Sequence, residues 1–180
     1  LLLSLIPFTT SLKFLAYNPA IGQSHAQYIN KIAEILHDAG HEIVMLSPPM
    51  SGRVKMNYPR QWKVISVPMS EEAQTSAKRD GEAAEKSFWS YKGILDLIKV
   101  IISNKIMSER LLSVTIHHPG LLDSLREEKF DGAFSEPFEC CGFGIFHLLG
   151  IKSYGMAMAV PSVDNTFTIT GLPHLTSYVP

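Results

Sequence analysis

Cysteine is scarce in these 180 residues: two occur, and they are neighbours, Cys140 and Cys141. Adjacent thiols rarely close an unstrained bridge, and two thiols alone hold no zinc. Neither a disulfide framework nor a cysteine metal site therefore organises the chain. Buried free thiols, or a bridge to a partner outside this segment, remain as their states. Excess charge is missing too. The net charge is −1, which leaves no basic surplus for a nucleic-acid backbone or an anionic membrane surface. With 18% charged and 46% hydrophobic residues, the chain is globular and not disordered, and its length suits one domain of ordinary size. No run is long and apolar enough to span a bilayer as a helix, and no N-x-S/T sequon, internal repeat or low-complexity tract occurs. The motifs G-x-G-x-x-G, G-K-[ST] and G-x-S-x-G are all absent. That removes a phosphate cradle and a serine nucleophile elbow from the readings.

The two ends suggest a piece of something larger. The chain starts at Leu1 without a Met and stops at Tyr178-Val179-Pro180 with no closing helix or charged tail. Residues 1–12, LLLSLIPFTTSL, read as the apolar part of a secretory signal, with Thr9-Thr10-Ser11 as small residues for cleavage. A buried first strand is the competing reading. The domain proper is expected over 13–180.

What is present is alternation. Lys13 to Tyr17 reads as a strand. The loop NPAIGQS follows, with Ser24 as N-cap. From His25 to Ala39 the apolar residues Tyr28, Ile29, Ile32, Ala33, Ile35, Leu36 and Ala39 keep helical spacing, and Gly40 stops the helix. Glu42 to Leu46 is a short apolar run of the kind buried on both faces of a parallel sheet. Trp62 to Val67 is a third strand. Residues 70–87 are polar, a loop or an exposed helix. Phe88 to about Ile116 is helical, as one helix or two, and Leu121 to Glu128 is a short helix. Phe130 to Glu136 is a strand, Cys140 to Leu149 a helix, and Ser153 to Ala159 a last strand. The pattern predicts an α/β fold with a doubly wound, mostly parallel sheet.

In such sheets sites form at the carboxyl ends of strands. Two polar residues map there: His25, a short loop after the first strand, and Glu136, at the end of the strand containing GAFS. A neutral imidazole is a general base near neutral pH. A carboxylate on its other nitrogen fixes the tautomer and steadies the imidazolium, while the helix N-terminus disfavours a charged ring. With no serine or cysteine nucleophile in context, the hydroxyl to be activated belongs to a substrate. The plainer readings are a capping or surface histidine and a carboxylate that caps the next helix. Glu139 can replace Glu136 in the pair, and Asp131 belongs on the far edge. His37 and His41 are expected to be solvated and His147 structural. His117 and His118 lack the partners a metal site needs.

Two blocks carry a family likeness. LKFLAYNPAIGQSHAQYINKIAEILHDAGHEIVMLSP and FDGAFSEPFECCGFGIFHLLGIKSYGMAMA resemble the N-terminal half of animal UDP-glycosyltransferases, the UDP-glucuronosyltransferase type, and the wording is nearest to nematode members. GLPHLTSYVP is similar to a further stretch of that family, while 50–116 matches only in general character. The resemblance implies two facing Rossmann-like domains, the GT-B arrangement. This chain would be the N-terminal acceptor-binding half, and an incomplete one. It implies an inverting transfer of glucuronate or glucose from a UDP-sugar to a hydroxyl of a small lipophilic acceptor. His25 is then the base and Glu136 stands where the family usually has aspartate. Phe88, Trp89 and Tyr91, with the isoleucines after them, would line the acceptor pocket or else belong to the core. No cofactor or metal is implied, the UDP-sugar being a co-substrate bound by a C-terminal domain outside these residues. The likeness also implies the lumenal side of the endoplasmic reticulum membrane, a C-terminal anchor beyond this segment, and room for a homo-oligomer. A fragment of this kind is expected to be inactive alone. The competing readings are a truncated, non-catalytic binder of lipophilic ligands or of full-length transferases, and a flavodoxin-like nucleotide domain.

Overall fold

A computed structural model describes residues 10–19, 22–48, 56–67, 93–137 and 140–160, with isolated positions between 71 and 90. The described elements run β1 (Lys13–Tyr17), α1 (Gln23–Asp38), β2 (Glu42–Leu46), β3 (Lys63–Ile65), α2 (Ile94–Ile116), α3 (Leu121–Glu127), β4 (Gly132–Ser135), α4 (Cys141–Leu148) and β5 (Tyr154–Met156). The five strands form one sheet in the order β3-β2-β1-β4-β5, and each pairing is parallel. This is the predicted α/β architecture.

The sheet buries both faces because strand residues alternate between them. Leu15, Tyr17, Val44, Leu46 and Ala133 point to one side, where Leu121 and Leu125 of α3 and Cys141, Ile145 and Phe146 of α4 meet them. Ala16, Ile43, Met45 and Phe134 point to the other, against Ile29 and Ala33 of α1. β1 sits in the middle with Leu15, Ala16 and Tyr17 fully buried, so it is the reference to which both helix layers are fixed. Each large apolar side chain buried this way contributes about 1.5–3 kcal/mol.

Several boundaries differ from the sequence reading. α1 begins at Gln23 with Gly22 in the N-cap position and no side-chain cap; Ser24 already lies inside the first turn. β3 covers three residues instead of six, because Trp62 and Val67 leave the strand to fill the core. β5 is likewise three residues long. The stretch to Ile116 forms one helix of 23 residues. The described positions between 71 and 86 are helical and exposed. On α2, Ile94, Leu95, Ile98, Ile101, Ile102 and Ile106 are exposed, so these residues are not core. Among the described residues no helix is long and apolar enough to cross a membrane.

Candidate active site

β1 and β4 are neighbours in the centre of the sheet, but the chain leaves them toward opposite faces, into α1 and α4 respectively. The carboxyl edge between these two strands is therefore the topological switch point, where sites form in such sheets. His25 reaches it from the first turn of α1, and Glu136 as the residue after β4.

The two side chains meet. His25 Nδ1 lies 2.7 Å from Glu136 Oε1, with side-chain exposures of 29% and 7%. An ionised carboxylate only accepts hydrogen bonds, so Nδ1 carries the proton and donates it to Oε1. That leaves Nε2 as the nitrogen with the basic lone pair. The backbone N–H of Ala159, beyond β5, donates to the same Oε1 at 3.2 Å. The carboxylate is thereby held from two directions.

The strand ends beneath are tied by buried polar groups that the sequence did not single out. Ser135 pairs with Tyr17 in the ladder, and its Oγ donates to Tyr17 O at 3.3 Å. Asn18 is 2% exposed and its Nδ2 donates to Ala26 O on α1 at 3.0 Å. Gly142 lets α4 press onto this corner: a Cβ there would come within 2.8 Å of both Ser135 Oγ and Tyr17 Cδ1. The only sequence signal for these roles was position, a polar or small residue next to an apolar strand end.

Other candidates fall elsewhere. Asp131 lies at the opposite, amino edge, where its Oδ2 accepts the Lys13 N–H at 2.7 Å, as expected. His41 was expected in solvent but accepts the Leu12 N–H at 3.2 Å and packs edge-on against Phe14. His37 packs edge-on against Trp62. His41 directly precedes β2 and His37 lies in the last turn of α1, and local contacts take them up. His147, expected to be structural, is exposed on α4. His117 bonds to Ser113 O at 2.8 Å. His118 lines a cavity of about 200 Å³ beside the end of β3. Cys140 is exposed and Cys141 buried, both as free thiols, with Cys141 Sγ 3.1 Å from Ser108 O. Among the described residues no cluster could hold a metal ion. Phe88, Trp89, Tyr91 and Glu139 lie outside the described residues, as do residues 1–9 and the GLPHLTSYVP stretch.

Comparison with known proteins decides the family. The family model described as "UDP-glucoronosyl and UDP-glucosyl transferase" matches residues 15–180. The chain belongs to this family. Among similar proteins, "Putative UDP-glucuronosyltransferase ugt-48" of Caenorhabditis elegans is 28% identical over 99% of this chain and 34% of its own length. Human "UDP-glucuronosyltransferase 1A6" is 27% identical over 87% of this chain and 30% of its own length. This UDP-glycosyltransferase chain thus spans about a third of the length of the curated relatives it matches. No solved structure matches it. The parallel sheet with flanking helices is the Rossmann-like arrangement expected for a domain of this family.

Proposed function

We propose that these residues form the acceptor side of an inverting UDP-glycosyltransferase that transfers glucuronate or glucose to a hydroxyl of a small lipophilic molecule. The observation that carries the reading is the 2.7 Å contact between His25 Nδ1 and Glu136 Oε1 at the switch point of the sheet. In the proposed reaction the acceptor O–H gives its proton to His25 Nε2. Its oxygen attacks the anomeric carbon from the face opposite the nucleotide. The bond from that carbon to the diphosphate oxygen breaks, and UDP leaves with the electron pair. Glu136 meets the positive charge that develops on the ring, as a buried carboxylate does for other catalytic imidazoles. A positioned base of this kind contributes roughly 10²–10⁴-fold to rate.

The donor sugar is proposed to bind to residues beyond these 180, at the lumenal side of the endoplasmic reticulum membrane, a setting supported by family membership alone. The exposed isoleucines of α2 support a lipophilic acceptor, since exposed apolar patches mark binding surfaces.

The test is His25→Ala in the complete protein, assayed with a UDP-sugar and a phenolic acceptor. Turnover should fall at least a hundredfold while acceptor binding, measured by calorimetry, is retained. Unchanged turnover would remove the base from the mechanism.

A further inference from the structure

A base that works through a 2.7 Å contact needs both partners held on one frame, yet α1 begins without a side-chain cap and without an acidic residue in its first turn. Asn18 supplies the missing anchor. Its backbone N–H donates to Leu46 O at 2.9 Å, which continues the β1–β2 ladder and fixes its Cα to the sheet. Its Nδ2 then donates to Ala26 O at 3.0 Å, in a buried setting. Ala26 is the residue after His25 and is 1% exposed. A carbonyl has two lone pairs, so Ala26 O can take this bond in addition to its helical one.

We infer that Asn18 is a positioning residue for the His25–Glu136 pair, bolting the first turn of α1 to the end of β1. The inference rests on the function proposed above for its kinetic consequence only. Glu136 is referenced to the same strand end, because it follows Ser135, whose Oγ bonds Tyr17 O at 3.3 Å. Tyr17 and Asn18 are consecutive. The two halves of the pair thus hang from consecutive residues at the end of β1, His25 from Asn18 and Glu136, through Ser135, from Tyr17. The side chain must donate and be of this length. Leucine keeps the volume and loses the bond, and aspartate turns an acceptor toward a carbonyl oxygen.

Two readouts test this in Asn18→Ala and the volume-conserving Asn18→Leu, each used if its unfolding transition stays cooperative. The first is structural. In protein labelled with 15N-histidine, the Nδ1–H proton of His25, assigned by its disappearance in His25→Ala, should be broadened or lost in both variants. A wild-type signal in either folded variant overturns the inference, whatever the enzyme does. The second is kinetic. Asn18→Leu should lower kcat about tenfold with acceptor KM changed less than twofold. Placed in a Glu136→Gln background, it should lower kcat less than a further twofold, because residues acting through one contact are not additive. Additive losses would mean that Asn18 acts on stability alone and would overturn the positioning role. If His25→Ala leaves turnover unchanged, the proposed function fails while the labelled-histidine result still stands or falls by itself.

Discussion

The carboxylate of Glu136 reaches His25 with little slack. At 2.7 Å the contact is at the short end for a charge-assisted N–H···O bond, and Ala159 N–H holds the same oxygen. Charge and reach can be separated here. Glu136→Gln keeps the length and removes the charge. It also allows the amide to offer N–H instead of oxygen to Nδ1, which would favour the wrong ring tautomer. Glu136→Asp keeps the charge and shortens the side chain by about 1.5 Å, one carbon–carbon bond, which stretches the contact beyond hydrogen-bond range. If tautomer and charge dominate, as in the serine-protease triad, kcat falls about 10²-fold or more for Gln and nearer tenfold for Asp, with acceptor KM little changed in both. Steady-state kinetics on the complete protein would read the order. A larger loss for Asp than for Gln would show that reach outweighs charge.

Packing at the level of elements decides whether that geometry survives. α4 can approach the ends of β1 and β4 only because position 142 has no side chain. Gly142→Ala would improve intrinsic helix propensity by about 1 kcal/mol. The new methyl, however, meets Tyr17 and Ser135 at 2.8 Å, both fully buried and unable to swing aside. Overpacking of this sort costs about 1–3 kcal/mol, so the clash should win and lower the melting temperature by a few degrees. Because Ser135 precedes Glu136, the same change should also weaken transfer. A more stable and fully active Gly142→Ala variant would contradict the packing described. The elements differ in how well the sequence announced them. β1 and β2 were legible to the residue, because each is a run of four apolar residues behind one charged residue, Lys13 or Glu42, with glycine or proline as punctuation. β3 was read too long, since Trp62 and Val67 look like strand residues but belong to the core by tertiary packing. The cap of α1 was misplaced because a serine near a helix start is a strong signal locally, and here the anchor comes from Asn18, eight residues before its acceptor. That His25 and Glu136 would lie at one edge was legible from strand-end position, and the contact between them was left open by Glu139. Asn18 and Ser135 were not legible, because a buried polar residue beside a strand declares its role only when its partner is seen.

Across the sheet, the candidate site and the charged edge lie apart. The His25–Glu136 pair lies at the carboxyl ends of the strands, whereas Lys13, Glu42 and Glu128 gather at the amino edge. Lys13 Nζ is 3.0 Å from both Glu42 and Glu128, and Glu128 also pairs with Lys63. A strand of five residues puts about 16 Å between the two edges, more than a Debye length at physiological salt. The hydrogen bonds from Lys63 and then Lys13 hold the Glu128 carboxyl below its ordinary 4.5. Those that Lys13 donates to Glu42 and Glu128 raise its own pKa above the ordinary 10.5. The signs follow. Glu128's contribution is complete above its unfolded value and is lost as pH falls through its lower folded value. Lys13's is complete below 10.5 and is lost as pH rises through its higher folded value. Between those limits the cluster stabilises the fold, by about 1 kcal/mol or less given the exposure of its lysines. Glu128→Gln should therefore lower stability to urea by a near-constant amount from pH 5 to pH 9. The gap to the parent protein should narrow below 4.5, when the parent's own carboxylate takes up its proton, and again above 10.5, as Lys13 loses its own. Raised salt should narrow it as well, and transfer activity should be untouched. A gap that closes near neutral pH would mean that a different group sets the stability of this edge.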